Sequence, residues 1–446
     1  RGSVCEDYAA IKAAVLSIGG WHDGYRNTIS HLVSNIEAPV KGIVGPWIHK
    51  YPHFAKPEPA IGFLQEAKRW WARWLKGVDT GVEDDPAMRL WLMDSIRPAP
   101  WHDERPGRWI AEAEWPSPDI VPRELHLTGN GLSEKPGDLP AHKALVSSPQ
   151  HCGLAGGEYF PFHYGPELPS DQRADDALSV CFDTVPLTAV MDIVGAPELR
   201  LSLSADRPQA NLCVRLCDVH PDGASELISY GVLNLTQRNS REHPEALEAG
   251  TACDARIVLD QCAYCVPEGH RLRVAVSTAF WPMIWPSPQP VAVTLKRGTF
   301  EVPVRTPSSG AEWRFEPPEA ARPWNTRSLR ESSAGRQVVH DSATGFVTVT
   351  VENDFGAVED LDHGLITDSS QREVWTIHPD NPASATAEFV WRQSGGRGNW
   401  QWSSVARSKM ESNASEFILN ANLEIFEGET KAYERRFRQV IPRQHV

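Results

Sequence analysis

The stretch VLSIGGWHDGYRNTISHLV (residues 15–33) decides how the rest of the chain is read. Residues 13–21 form an unbroken apolar run ending in Gly-Gly-Trp, as expected of a strand covered on both faces. The run gives way to His22-Asp23-Gly24, and then to helical spacing over GYRNTISHLVSNI. A carboxylate at the end of a buried strand is costly unless something pairs with it. Asp23 therefore either caps the turn into the helix or orients another polar group, and local spacing leaves both open.

The same alternation continues downstream. KGIVGPW (41–47) reads as a second buried strand and MRLWLMD (88–94) as a third. Between them AIGFLQEAKRWWARWLKG (60–77) is a helix, with Phe63, Leu64, Ala67, Trp70, Trp71, Trp74 and Leu75 on one face and Gly77 as its stop. Strand–helix alternation implies a mostly parallel sheet, whose strand ends face the crevice where ligands bind. The first strand brings Asp23 to that rim, and Gly-Pro-Trp-Ile-His brings His49 from the second. An aspartate that holds one histidine tautomer leaves the other ring nitrogen free as a general base. Asp before His is also the order that closes an α/β-hydrolase triad.

Beyond the proline-rich segment 97–122 the period changes from 3.6 to 2. ELRLSLSA (198–205), NLCVRLCDV (211–219), HRLRVAVS (270–277) and VAVTL (291–295) alternate, and Asp222-Gly223 supplies a hairpin-type turn. This predicts a β-sandwich of jelly-roll type. After a second proline-rich segment, 302–324, alternation resumes in FVTVTVEND (346–354), AEFVWR (387–392), NWQWSSVARS (399–408) and EFILNANLEIFEG (416–428).

Composition excludes several classes. The net charge of −14, with no Lys/Arg stripe, argues against a nucleic-acid partner. No apolar run is long enough for a membrane span. The eight cysteines are thinly spread, and the lone Cys262-x-x-Cys265 has no second pair to make a zinc ribbon. Buried, reduced thiols and a cytoplasmic location are the expectation. HExxH, a Gly-rich phosphate loop and a His/Cys metal cluster are all missing, so neither a cofactor nor a metal is expected.

GGWHDGY, GPWIHK, RWWARWLKG, DQRADDALSVCFDT (171–184), GAPELRLSLSADRPQANLCVRLCDVHPDG (195–223) and GHRLRVAVSTAFWPMIWPSP (269–288) carry a family likeness. They resemble the cocaine-esterase-like (CocE/NonD) serine hydrolases of the X-Pro dipeptidyl-peptidase superfamily, over nearly all of residues 1–300. The resemblance implies α/β plus all-β architecture. Residues 1–120 would be the C-terminal part of an α/β-hydrolase sheet, 121–300 a jelly roll, and 301–446 a further β-rich extension. It also implies that Asp23 and His49 are the acid and base of a catalytic triad, with Trp21, Tyr25, Arg26 and Trp47 as candidate pocket residues. The Trp281–Trp285 stretch would close one side of the site.

Where the amino-ester branch of the family has carboxylates after the triad aspartate, this chain has Tyr25 and Arg26, which favours a neutral or anionic acyl ester over a free-amine substrate. One part is missing: no G-x-S-x-G occurs in the 446 residues, which open on Arg-Gly-Ser. The family's nucleophilic serine and oxyanion-hole tyrosine lie upstream of the GWxD strand. The expectation is thus the C-terminal portion of a serine acyl-ester hydrolase, inactive alone. An N-terminal hydrolase fragment or a homo-oligomer would cover the open sheet edge. The alternatives are X-Pro dipeptidyl-peptidase activity, or a catalytically silent β-sandwich binding module.

Overall fold

The computed structural model describes residues 3–306 and 312–446; Arg1, Gly2 and residues 307–311 of the second proline-rich segment lie outside the described residues. Strands β1 (Val15–Gly20), β2 (Val40–Gly45) and β3 (Met88–Asp94) pair in parallel, in that order. Helix α1 (Arg26–Asn35) joins the first two and buries Ile29 and Val33. Helix α2 (Phe63–Lys76) ends at Gly77, whose left-handed backbone (φ 67°) is the conformation glycine adopts without strain. β4 (Gly107–Glu112) runs antiparallel beside β3.

The apolar stripe expected on α2 is in fact two stripes. Ala67 and Trp70 turn inward and are buried, whereas Leu64, Trp71 and Leu75 lie about 100° round the helix and are exposed. One covering surface cannot reach both sets.

Strand pairing continues from the parallel strands into the β-rich part of the chain. Residues 262–266 pair in parallel with the end of β3, through Tyr264 opposite Met93 and Cys265 opposite Asp94. From there strands 191–195, 293–305, 198–205 and 253–258 carry the sheet on, making it twelve-stranded. One of its edges is β1, which has β2 as its only strand partner among the described residues. A four-stranded sheet, in the order 225–234, 211–219, 271–277, 180–183, lies against it. Leu199, Leu201 and Leu203 of the first sheet share one core with Leu212, Val214, Leu216, Val274 and Val276 of the second. Burying each such side chain stabilises the fold by about 1.5–3 kcal/mol. The alternation read from the sequence is this inward-facing set.

The C-terminal segment forms its own eight-stranded antiparallel sheet from residues 326–442. Trp281 and Trp285, expected beside the catalytic rim, are instead the anchor for this sheet. They pack on Val347, Trp375, Ile377 and Ala385, and the Trp285 indole donates to Ser412 Oγ at 2.9 Å. No helix among the described residues is long and apolar enough to cross a membrane. All eight cysteines are free; Cys152, Cys213, Cys217 and Cys262 are buried as expected, but Cys5 is exposed.

Candidate functional site

Two glycines bring the ends of β1 and β2 together. Trp21 N donates to Gly45 O (2.9 Å) and His22 N to Trp47 O (3.1 Å), so the GGW and GPW turns are bonded to each other. A Cβ on Gly20 would sit 2.0 Å from Trp47 O, and one on Gly45 would sit 2.4 Å from the Trp47 ring. Only a residue without a side chain permits this approach.

The consequence is a direct contact between the two candidate residues. His49 Nδ1 lies 2.8 Å from Asp23 Oδ2. A carboxylate only accepts, so Nδ1 carries the proton and Nε2 is the basic nitrogen. Asp23 Oδ1 accepts the Tyr25 backbone N–H at 2.9 Å. Asp23 thus does both things its position allowed: one oxygen closes the turn before α1, the other orients the imidazole. It is itself buried (7% exposed), while the His49 side chain is 40% exposed.

The other pocket candidates separate. Tyr25 is at the site, edge-on to the His49 ring with centroids 5.8 Å apart. Trp21 and Trp47 are not: both are buried, and their indoles donate into the core, to Trp91 O (2.7 Å) and Pro59 O (2.8 Å). Arg26 also turns away. Its Nε donates to Asp23 O at 2.9 Å and its Nη1 lies 3.7 Å from Asp260. The cation read into the pocket is therefore balanced by an acid more than two hundred residues downstream, invisible to local reading.

The wall that sequence reasoning missed is the strap GEYFPFHYGPE (157–167). Phe160 lies over His49 at 4.3 Å between centroids, Phe162 follows at 6.1 Å, and His49 N donates to Pro161 O at 3.0 Å. Tyr159 OH donates to Gly24 O at 3.3 Å, tying the strap to the turn that carries Asp23. Beside it, Lys50 Nζ sits 3.5 Å from the Phe162 ring centroid, and burial lowers its pKa. The density of aromatics between glycines and prolines was the signal available. The strap is braced from the C-terminal sheet, by an Arg336–Glu158 ion pair and by Phe355 against His163 at 4.8 Å. Tyr25, Tyr51, Phe54, Tyr159, Phe162 and Tyr164 leave an exposed aromatic field around the imidazole.

Comparison with known proteins gives the family of the chain. Residues 80–344 match the family model for the X-Pro dipeptidyl-peptidase C-terminal non-catalytic domain. Residues 1–51, which hold both Asp23 and His49, match that for X-Pro dipeptidyl-peptidase (S15 family). Cocaine esterase of Rhodococcus sp. (strain MB1 Bresler) is 26% identical over 306 residues, covering 63% of this chain and 51% of the esterase. The chain spans about half the length of the curated relatives it matches. An α-amino acid ester hydrolase structure overlays with a TM-score of 0.54 at 20% identity, covering 68% of this chain and 57% of that one. A CocE/NonD family hydrolase from Staphylococcus aureus overlays with a TM-score of 0.51 at 13% identity, covering 67% and 55%. At these identities the overlays speak for the fold alone.

Proposed function

The chain belongs to the X-Pro dipeptidyl-peptidase superfamily, among its CocE/NonD-like members, and from that premise we propose that it carries the acid and base of a serine esterase. The observation that supports this most directly is the 2.8 Å contact between His49 Nδ1 and buried Asp23. It leaves Nε2 on the exposed side of the ring, where a serine hydroxyl can reach it.

In this reading a serine Oγ attacks the ester carbonyl as Nε2 of His49 takes its proton, and Asp23 stabilises the imidazolium that forms. Collapse of the tetrahedral intermediate expels the alcohol, which leaves with the proton from Nε2. Water then repeats the sequence on the acyl-enzyme. No G-x-S-x-G occurs among the 446 residues, so the nucleophile and the oxyanion hole are assigned to a further segment of the protein or to a partner chain. The open edge at β1 and the exposed aromatic field are the surfaces that segment would cover. The chain alone would then be inactive. Phe160, Phe162 and Tyr25 favour a small-molecule ester with an apolar acyl group. Because Arg26 is paired with Asp260, it no longer argues for an anionic one.

The test is p-nitrophenyl butyrate hydrolysis by this chain alone and after mixing with a separately expressed α/β-hydrolase fragment that carries a nucleophile-elbow serine. Turnover is expected only when the two are together, and His49→Ala should abolish it. Turnover that persists in His49→Ala would refute the assignment.

A further inference from the structure

We propose that Asp218, His220 and His270 form a binding site for a divalent transition-metal ion of the zinc type, remote in function from the Asp23–His49 pair. One ligand atom from each of the three lies within 4.8 Å of the others. Strand pairing creates the cluster. Asp218 is opposite Leu272 and Val219 opposite Arg271, so the next residues outward, His220 and His270, meet at the end of the ladder. Their rings are 4.6 Å apart.

Charge makes the cluster unusual. Asp218 is fully buried (0% exposed). Its Oδ2 accepts Ser95 Oγ–H (2.6 Å) and lies 2.9 Å from the Tyr264 hydroxyl, which also bridges to Glu226 Oε2 at 2.5 Å, and its Oδ1 faces His270 Nδ1 at 2.8 Å. His220 Nε2 is 3.9 Å from Oδ2 and 3.5 Å from Ser95 Oγ. None of these partners is a lysine or arginine. The nearby guanidiniums are committed elsewhere, Arg105 to Glu226 and Arg97 to Asp222. A desolvated carboxylate left facing two imidazoles calls for a cation.

A metal bound by Asp218 Oδ1, His270 Nδ1 and His220 Nε2 supplies it, with loss of the Nδ1 proton to solvent. Zinc–ligand bonds of about 2.0–2.2 Å fit between donors at these separations after small side-chain rotations. Two imidazoles and one carboxylate select Zn²⁺, Co²⁺ or Ni²⁺ over Mg²⁺ and Ca²⁺, which prefer all-oxygen sites. Tyr264 and Ser95, holding Oδ2, would fix the carboxylate as outer-sphere partners do in known sites. Ser95 directly follows β3, so the ion would pin the segment leaving the parallel strands onto the sandwich. The sequence offered no sign of it. Asp218 and His220 are two residues apart and His270 is fifty further on, so no local pattern joins the three.

The experiment is a Zn²⁺ titration of the chelator-treated 446-residue chain by calorimetry, with Co²⁺ followed by visible absorption. One equivalent of Zn²⁺ is expected to bind and raise the melting temperature by linkage. Co²⁺ should give d–d bands without a thiolate charge-transfer band, which separates this site from the cysteines. His220→Ala and His220→Gln, each melting like the parent in chelator, should weaken binding at least tenfold. If the parent takes up no stoichiometric metal, or if either folded variant binds it equally well, the cluster is a hydrogen-bonded junction and the proposal falls.

Discussion

The backbone of Gly20 packs against Trp47 so closely that a β-carbon at residue 20 would lie 2.0 Å from the Trp47 carbonyl oxygen. The pairing of Asp23 with His49 depends on that approach, because it brings the two motif turns within hydrogen-bond range. Gly20→Ala should therefore separate the pair as well as strain the fold, destabilising it by about 1–3 kcal/mol as overpacking does. Urea unfolding gives the stability change, and the NMR signal of the hydrogen-bonded Nδ1 proton of His49 reports whether its carboxylate partner has been lost. An unchanged Nδ1 proton signal in the variant would contradict this account.

Asp23→Asn keeps an oxygen for the Tyr25 N–H but cannot hold the Nδ1–H tautomer of His49. In the complete hydrolase, turnover is expected to fall by roughly 10⁴-fold with little change in melting temperature. Asp23→Ala should lose the turn contact too, adding about 1 kcal/mol of destabilisation. Equal melting temperatures for Asn and Ala would argue against the double role of this carboxylate.

His22 lines a cavity of about 50 Å³ behind Asp23, together with Tyr230 and Arg105. Burial first, then Arg105 and Arg26, hold its pKa well below 6.5. The folded chain therefore refuses a proton that the unfolded chain accepts. Stability should be fully present above pH 6.5 and decline as pH falls below it, with a slope of at most about 1.4 kcal/mol per pH unit from this group. His22→Asn should flatten that part of the profile. Urea midpoints at a series of pH values decide it, and an unchanged acid slope in the variant would exclude His22 as the cause.

Burial pushes the thiol of Cys152 up to about 11 and that of Cys262 to about 12. Thiolate is the reactive form, so both should resist modification at neutral pH. With Ellman's reagent the exposed Cys5 is expected to react first, and Cys152, Cys213, Cys217 and Cys262 only on unfolding. Mass mapping of the modified positions checks the order.

Arg336 reaches from the C-terminal sheet to Glu158 at the root of the strap. Burial raises the Glu158 pKa and Arg336 opposes that rise. Arg336→Ala should loosen residues 159–164, seen as faster amide exchange there and not in β1 or β2. Arg336→Ala combined with Glu158→Gln should recover part of the protection. Unchanged exchange in the single variant would mean that the contacts with His49 and Gly24 hold the strap alone.

What the sequence by itself determined was local in origin. Apolar runs and periods of 3.6 and 2 marked β1 to β3, α1, α2 and the sandwich strands, since each pattern states which face of its own element avoids water. The GGWHD and GPWIH turns placed Asp23 and His49 as candidates at neighbouring strand ends, with a capping role for Asp23 left open, and the family resemblance implied their roles as acid and base. Tertiary structure alone decided what covers those faces. Asp260 draws Arg26 out of the pocket, Trp91 and Pro59 hold Trp21 and Trp47 in the core, and the strap from 157–167 takes their place around His49. The joining of β3 to residues 262–266, and the meeting of Asp218, His220 and His270, are likewise products of pairing between distant strands. Periodicity records that a face must be buried; it carries no address for the residue, tens or hundreds of positions away, that buries it.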